Sequence, residues 1–202
     1  MKRTSERDTM MRQTKHTLRG IGRIFTRLKH DRQGVGAVEF AIIFPVLLAL
    51  YITAFELTIG FSVYKRATHA AGTIADLVSQ QVTVNKAYLR TMPDVASAIF
   101  VPYATTGLDL KISGIQVDAN RVAKISWSWS QSNKPPYPAN SVATIPDNLR
   151  QPNAFLIHAE LTIPHTLLMF MSNTAPSMRQ ITIGRDYYFA KREETPIICS
   201  DC

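Results

Sequence analysis

The chain has 202 residues and a formal net charge of +8, a length that suits one ordinary domain with an appended segment. Residues 1–34 carry ten Lys or Arg side chains against three acidic ones, so this tail supplies +7 of the total and the remainder is nearly neutral. A basic tail directly before an apolar stretch is typical of membrane topology rather than DNA binding, and we therefore expect no nucleic-acid partner.

The tail itself allows two interpretations. Leu18, Ile21, Phe25 and Leu28 recur at 3-4-3 spacing among basic residues. This spacing is consistent with a basic amphipathic helix on an anionic membrane surface. A charged tail without fixed structure fits the composition equally well.

An apolar stretch follows the tail. Residues 40–55 contain no charge, Glu56 interrupts, and residues 57–64 continue apolar. As a helix, the uninterrupted part would be about 24 Å long, somewhat short of a hydrocarbon core of about 30 Å. We therefore predict a transmembrane helix over residues 35–64, with Glu56 near the far interface, where its carboxylate reaches headgroups and water.

The charges on the two sides of this span predict its orientation. Ten basic residues precede it, and only Lys65 and Arg66 follow it closely. This asymmetry places the N-terminus in the cytoplasm and the C-terminal domain in the periplasm, as a single-pass protein of the inner membrane. A cleaved signal peptide is less favoured, because no small-x-small cleavage site follows the apolar run.

Glu39 is the anomalous residue at the entrance to the span. An unpaired carboxylate inside the bilayer costs on the order of 2.5–3.5 kcal/mol, so Glu39 needs a partner or a purpose. If a protease cut after Gly34, the new α-amine on Val35 would have a pKa of about 7.7–8.0 and would be positive. That amine, in one subunit, would neutralise Glu39 of a neighbour and fix the axial register of the two helices.

These residues carry a resemblance to a known family. Gly34 followed by Glu39 and Phe40, and then by a long apolar helix, resembles the prepilin peptidase site of type IV pilins and pseudopilins. The run Val-Glu-Phe-Ala-Ile-Ile-Phe-Pro-Val-Leu-Leu over residues 38–48, with Glu56 and an Ala-rich stretch beyond it, resembles the TadE-like proteins more closely. These are minor pseudopilins of the tight-adherence (Flp) pilus system, which serves adhesion and biofilm formation.

The resemblance implies specific roles for these residues. Gly34 would be the last residue of the leader, Val35 the first mature residue, and Glu39 with Phe40 part of the assembly surface. Phe40 stands where major Flp pilins usually have Tyr, which favours a minor pseudopilin. The implied partners are prepilin peptidase and other pilins and pseudopilins of the Tad system. The alternative is an uncleaved, single-pass anchored periplasmic protein that binds a partner or ligand through its C-terminal domain.

The helix is predicted to continue beyond the membrane. Ala67, Ala71, Ile74 and Val78 recur at 4-3-4 spacing, while polar residues occupy the other faces. One helix over about residues 36–81 is therefore predicted, with an amphipathic second half that lies against a globular head. A shorter helix is predicted around residues 94–100.

The pattern then changes to the alternation of β-strands. Three clean runs are predicted near residues 123–130, 155–163 and 181–189, although Arg185 interrupts the apolar face of the last. A fourth run, residues 108–117, changes phase at Gly114 and therefore predicts a bulge. Residues 118–121 are a plausible hairpin turn.

These elements predict an α+β fold, in which a long pilin-like helix packs on a small antiparallel sheet of about four strands. The predicted divisions are residues 1–34 (leader), 35–64 (transmembrane helix), 65–106 (stem and short second helix) and 107–202 (β domain). Between the second and third runs, residues 131–153 contain five prolines. This loop either contacts a neighbour or is a surface loop stiffened by proline, and the second interpretation is favoured.

The two cysteines of the chain, Cys199 and Cys202, lie in its last four residues. In an oxidising compartment they are expected to close a small disulfide loop. A redox dithiol would normally open a helix, and a zinc site would need two further ligands. Both alternatives are therefore less favoured.

Few residues suggest catalysis. His158 and His165 lie near Glu160 in sequence, but they form no metal-binding motif, and the alternation predicts that His158 is exposed. No nucleophile motif or phosphate-binding loop is present. Trp127 and Trp129 are expected in the core. We therefore expect no enzyme, no cofactor and no metal.

Overall fold

The computed structural model describes residues 34–132, 134–167, 180–192 and 195–202. The chain divides into two compact units, Met1–Thr53 and Ala54–Cys202. The predicted amphipathic helix of the basic leader lies outside the described residues, so it remains a prediction.

One long helix, α1 (Val35–Ser79), accounts for 45 residues and continues through Pro45. The predicted limits of 36–81 are therefore close to the observed ones. Its second half carries the predicted small side chains, which are buried against the rest of the unit Ala54–Cys202. After a two-residue strand, β1 (Thr83–Val84), come the short helices α2 (Lys86–Leu89) and α3 (Met92–Phe100). The last of these corresponds to the predicted second helix.

The remaining long elements are four strands: β2 (Asp109–Val117), β3 (Ala123–Ser130), β4 (Phe155–Thr166) and β5 (Gln180–Ala190). They form one sheet in the order β3-β2-β4-β5, with every pairing antiparallel. The α+β fold predicted from the sequence is confirmed.

Two local predictions in the β2–β3 hairpin are also confirmed. The register shifts between Gly114 and Ile115, which is the expected bulge. The turn after β2 is closed by the Asp118 amide, which donates to the Val122 carbonyl at 3.0 Å. Arg121 in this turn has a φ of 65°, a left-handed conformation that tight hairpin turns use.

The main core lies between α1 and one face of the sheet. Small residues of the helix, including Ala67 and Ala71, allow close approach to large side chains such as Phe100 and Ile157. Trp127 and Trp129 are 6% and 3% exposed, as core residues should be. Burial of large aromatic side chains provides much of the stabilisation of a small head of this kind.

A second, smaller core on the other face of the sheet was not predicted. The proline-rich loop folds over that face and buries Ala143 and Ile145 against Ile115, Ile125 and Leu156. A single 3-10 turn, Asp147–Leu149, lies within the loop. The loop is therefore a packed layer of the head, and its description as a surface loop alone is incomplete.

The same loop changes the environment of β3. Ser128 and Ser130 were predicted on a solvent-facing side, yet they are only 5% and 3% exposed. Their hydroxyls donate to the carbonyls of Tyr137 and Lys134, each at 2.7 Å. The prediction of a half-buried strand was wrong at these two positions, because the loop supplies hydrogen-bond acceptors that alternation along the strand does not reveal.

The C-terminal segment returns to the helical side of the head. Strand β6 (Ile198–Cys199) pairs in parallel with β1. Ile197 is fully buried, and its carbonyl accepts a hydrogen bond of 2.7 Å from Nε1 of Trp127. Ile197 is therefore part of the core, whereas the last three residues of the chain are exposed.

Candidate assembly and processing site

The predicted scissile bond lies at the beginning of α1. Gly34 precedes the first helical residue, Val35, which is 51% exposed. A methyl group built on Gly34 would have no neighbouring atom within 4 Å. Among the described residues, Gly34 is half-buried, Val35 is exposed, and a side chain at position 34 would meet no neighbouring atom.

Glu39 lies one helical turn after Val35, on the same face of α1, because residues four apart are neighbours on a helix. Its side chain is exposed. Phe40 is 60% exposed, and its ring centroid lies 5.5 Å from that of Phe44. The helix therefore begins with one carboxylate beside an aromatic pair, and both face outward.

The surface around this carboxylate is apolar on every side. Twelve large apolar side chains between residues 35 and 55 are 44–69% exposed. None of the most apolar 18-residue window of α1 is buried. A helix that is apolar all round requires lipid or other apolar helices as its surroundings. It is the one helix among the described residues that is long and apolar enough to cross a membrane.

Hydroxyl groups along this surface are satisfied within the helix. Thr53 and Thr58 donate to the carbonyls four residues earlier, Ala49 and Ala54, each at 2.8 Å. Without these bonds the hydroxyls would be costly to place in hydrocarbon. Their arrangement is compatible with a lipid environment.

Glu56 does not lie as predicted. It was expected to reach headgroups and water, but only 8% of it is exposed. Glu56 is the first of a series of buried or half-buried residues on one face of α1, and it is followed at helical spacing by Ile59, Val63 and Ala67. The head therefore covers one face of α1 from Glu56 onward, eight residues before the predicted end of the membrane helix at residue 64.

Two arginines join the head to this part of α1. The guanidinium carbon of Arg185 lies 3.7 Å from the centroid of the Tyr64 ring. Arg185 interrupts the apolar alternation of β5, and this contact explains why a cation is found at that position. Its guanidinium faces α1 and is stabilised there by the face of the Tyr64 ring. Arg66 donates to the Ile99 carbonyl at 2.7 Å, and its guanidinium lies 5.4 Å from the Tyr103 ring.

The C-terminal cysteines form a disulfide, with Cα atoms 5.6 Å apart. The intervening Asp201 accepts a hydrogen bond of 2.7 Å from the Lys86 amide at the beginning of α2. The sulfurs of Cys199 and Cys202 and the Asp201 carboxylate lie close together. In the disulfide, however, the sulfurs are not thiolates, the form of cysteine that binds zinc.

A polar cluster on the outer face of the sheet was not predicted. The His158 ring stacks on Tyr188 with centroids 4.1 Å apart, and its Nδ1 lies 3.3 Å from the Glu160 carboxylate. The Tyr137 hydroxyl donates to that same carboxylate at 2.8 Å. The His158 side chain is only 13% exposed, so the prediction that it is exposed was wrong.

The causes of the pKa shifts in this cluster are burial and charge. Burial lowers the pKa of His158, and the nearby carboxylates of Glu160 and Asp186 offset that effect only in part. Burial, together with the hydrogen bond to Glu160 and its charge, raises the pKa of Tyr137 to about 12. His165 does not join the cluster, because it lies seven residues from His158 along the same strand. Tyr137 and Tyr188 come from distant parts of the chain, so no sequence pattern could have identified them.

Comparison with known proteins addresses nearly the whole of α1. Residues 34–76 match the family model of the TadE-like proteins. This match begins at Gly34 and includes Glu39, Phe40 and Glu56, so the resemblance inferred from those residues is confirmed over that range. No curated protein matches the chain. No solved structure matches it either.

Proposed function

We propose that this chain, which carries a TadE-like segment over residues 34–76, is a minor pseudopilin that acts as a structural subunit in assembly of the Tad (Flp) pilus. One observation carries the proposal: the exposed apolar surface of α1 bears a single carboxylate, Glu39, next to an accessible Gly34–Val35 bond. Such a surface serves association between helices in a membrane. It offers nothing for the binding of a small substrate.

The environment of Glu39 supports processing after Gly34. In the bilayer its carboxylate costs on the order of 2.5–3.5 kcal/mol unless a cation lies nearby. In the uncleaved chain the nitrogen of Val35 is a neutral amide. Cleavage converts it to a positive amine at the same end of the helix, so processing creates the charge that Glu39 lacks.

Pairing of the new amine with Glu39 of a neighbouring subunit would give assembly a fixed register. Both groups lie within one turn of helix α1, so an intersubunit pair aligns two parallel helices with little axial offset. The surrounding apolar side chains then pack against those of the neighbour. In this arrangement dispersion and packing provide the attraction, and the ion pair selects the register.

The proposed partners and location follow from this arrangement. Prepilin peptidase would remove residues 1–34 on the cytoplasmic side, where the basic tail favours their retention. The other pilins and pseudopilins of the Tad system would then receive the apolar helix. The head, with its C-terminal disulfide, belongs in the periplasm, where an oxidising environment maintains such bonds. A contribution to adhesion and biofilm formation would follow from incorporation into the pilus.

The processing step is tested by co-expressing the full chain with the prepilin peptidase of its own system and sequencing the N-terminus of the membrane-extracted protein. We expect a new N-terminus at Val35 and a mass loss of about 4 kDa, since 202 residues have a mass of 22.6 kDa. Gly34→Leu should abolish the cleavage. Gly60→Leu is the matched control, because neither glycine has a neighbouring atom within 4 Å of an added Cβ.

The outcomes separate the two functional hypotheses. If the wild-type protein keeps Met1 in the presence of active peptidase, the processed-pseudopilin proposal fails. The uncleaved anchored protein with a ligand-binding head would then be favoured. If Gly60→Leu blocks cleavage as strongly as Gly34→Leu, the loss of cleavage reflects a general disturbance of α1 rather than a change at the cleavage site.

The charge-pairing step is tested separately with Glu39→Gln, which keeps the size of the side chain and removes its charge. Cleavage should remain at the wild-type level, and co-purification with other Tad pilins should fall. Thr53→Val is the control, because it also removes a polar group from the exposed surface of α1. The Thr53 hydroxyl bonds within its own helix, so its loss should not affect association with a neighbour. Normal pilus assembly by Glu39→Gln would refute the pairing.

A further inference from the structure

The lower end of the head, meaning the end nearest Glu56, carries a set of exposed side chains that the assembly proposal does not use. Leu57, Phe61 and Tyr64 on α1 are 58%, 64% and 41% exposed, and Ile181 at the beginning of β5 is 43% exposed. Lys65 lies beside them and is also exposed. We call these five residues the collar.

The axial position of β5 along α1 places Ile181 near the level of Leu57, at the same end of the head as the other collar residues. A methyl group built on Gly72 would lie 3.6 Å from the Tyr187 ring, which aligns these two residues. From Tyr187 back to Ile181 the strand covers about 20 Å at about 3.3 Å per residue. The same distance along the helix is about 13 residues at about 1.5 Å each, which reaches Ile59.

A further contact supports this alignment. Arg185, between Tyr187 and Ile181 on β5, lies over the ring of Tyr64. Strand β5 therefore reaches along α1 to about the level of residues 57–59, close to Glu56, where one face of the helix becomes buried.

The part of α1 that precedes Glu56 has the length expected of a membrane span. Residues 35–55 form an apolar helical stretch of about 31 Å at about 1.5 Å per residue, which matches a hydrocarbon core of about 30 Å. If the span continued to Tyr64, the end of the sheet would lie inside hydrocarbon. Backbone at an open sheet edge is not tolerated there, since its polar groups would have no partners.

We propose that the collar is a lipid-binding surface, which lies in the headgroup layer of the periplasmic leaflet and holds the head against the membrane. The inference rests on the proposed anchoring of the chain by α1. The hydrocarbon-spanning part then ends near Phe55, and Leu57, Phe61 and Ile181 contact the outer ends of the acyl chains. Tyr64 lies at the depth where aromatic side chains with a polar tip are enriched.

Charge complementarity selects phospholipid as the occupant. Among the described residues, Lys65 and Arg185 are cations close to the exposed collar side chains, and each can approach lipid phosphates, with Arg185 held at the Tyr64 ring. In the sequence of α1, the exposed side chains Leu57 and Phe61 follow closely after Phe55. Before assembly, a head fixed to the bilayer in this way would present the same side to every neighbouring subunit.

The test measures the depth of spin labels in the full chain, reconstituted in vesicles of phosphatidylethanolamine and phosphatidylglycerol. Single labels are introduced by Leu47→Cys, Leu57→Cys, Ile181→Cys and Val142→Cys. The native cysteines stay in their disulfide when no reductant is added. Relaxation by oxygen, which partitions into the bilayer, is compared with relaxation by a water-soluble nickel chelate.

We expect the label at residue 47 to report the hydrocarbon interior, and those at 57 and 181 to report one shared depth near the interface. Their oxygen-to-nickel ratios should exceed that of Val142 severalfold. Val142 is a suitable control, because it is 74% exposed and pairs with Lys124 at the far end of the sheet. A second label site, Phe61→Cys, guards against local distortion by the label.

Three outcomes would overturn the proposal. If residue 181 resembles Val142 while 57 lies deep in hydrocarbon, the head stands away from the membrane and the span extends to Tyr64. If 57 and 181 are shielded from both reagents, another protein copy covers the collar instead of lipid. A water-like signal at residue 47 would refute the anchoring itself, which distinguishes that failure from failure of the collar.

Discussion

Replacing Gly114 by Ala should destabilise the head, because this residue lies at the bulge of β2 beneath two large aromatic side chains. A Cβ at Gly114 would be 2.5 Å from Nε1 of Trp127 and 2.8 Å from Cζ of Phe155. Real contacts are never so short, so at least one ring must move. The Trp127 ring cannot move freely, since its Nε1 donates to the Ile197 carbonyl in the buried C-terminal segment.

The expected loss in the free energy of unfolding has two causes, the overpacking at Gly114 and the weakening of the Trp127 hydrogen bond. Overpacking of a core costs about 1–3 kcal/mol, and loss of a buried hydrogen bond adds about 1 kcal/mol. We expect the free energy of unfolding to fall by about 2–4 kcal/mol. For a domain of this size that corresponds to a decrease in Tm of about 5–15 °C.

The assay uses intrinsic tryptophan fluorescence during thermal unfolding in detergent, because both tryptophans of the sequence lie on β3. Gly184→Ala is the matched control. It places the same methyl group on another strand of the same sheet, where the nearest atom, Oγ1 of Thr162, is 4.0 Å away. We expect the control to change Tm little. Equal decreases in Tm for the two variants would refute the argument that the Trp127 contact is responsible.

Two further predictions concern the polar cluster and the C-terminus. Burial lowers the pKa of His158 in the folded state, so the unfolded state binds a proton more readily, and stability should fall as the pH decreases below about 6.5. His158→Gln should flatten this pH dependence of stability in pH-jump unfolding, whereas His69→Gln, at an exposed position, should leave it unchanged. Equal slopes of stability against pH in the wild type and both variants would contradict the assignment of this dependence to His158. Opening the loop between Cys199 and Cys202 by Cys199→Ser should lower the free energy of unfolding by about 2 kcal/mol, as expected for a short loop. Reductant should lower the Tm of the wild type toward that of the variant without changing the variant, and a wild type insensitive to reductant would contradict this role of the disulfide.

Prediction from the sequence was accurate where one element carries its own pattern. Three patterns each report local burial. They are the apolar run of α1, the 4-3-4 spacing that begins with Ala67 and Ala71, and the alternation of β3 and β4. The phase change at Gly114 identified a bulge, because one extra residue reverses the inward and outward faces. These are properties of the nearest few residues, so no knowledge of the fold was needed.

The errors arose where distant segments meet. His158 appeared exposed because its strand neighbours alternate, but Tyr188 and the loop carrying Tyr137 cover it. Ser128 and Ser130 were misassigned for the same reason, since the covering loop begins only after β3 ends. Loop packing of this kind has no periodicity, and pairwise contacts between segments leave no signal in a single sequence.

The sequence by itself determined the segment on which the proposed function rests: a basic N-terminal tail, Gly34 followed by Glu39, and a long apolar run. Charge and hydrophobicity act along the chain and can be counted residue by residue. Only the tertiary structure decided where one face of that helix becomes buried, which happens at Glu56. Glu56 ends an apolar run in the sequence, but its burial follows from packing in the unit Ala54–Cys202, in which the Tyr187 ring also lies against Gly72 of α1.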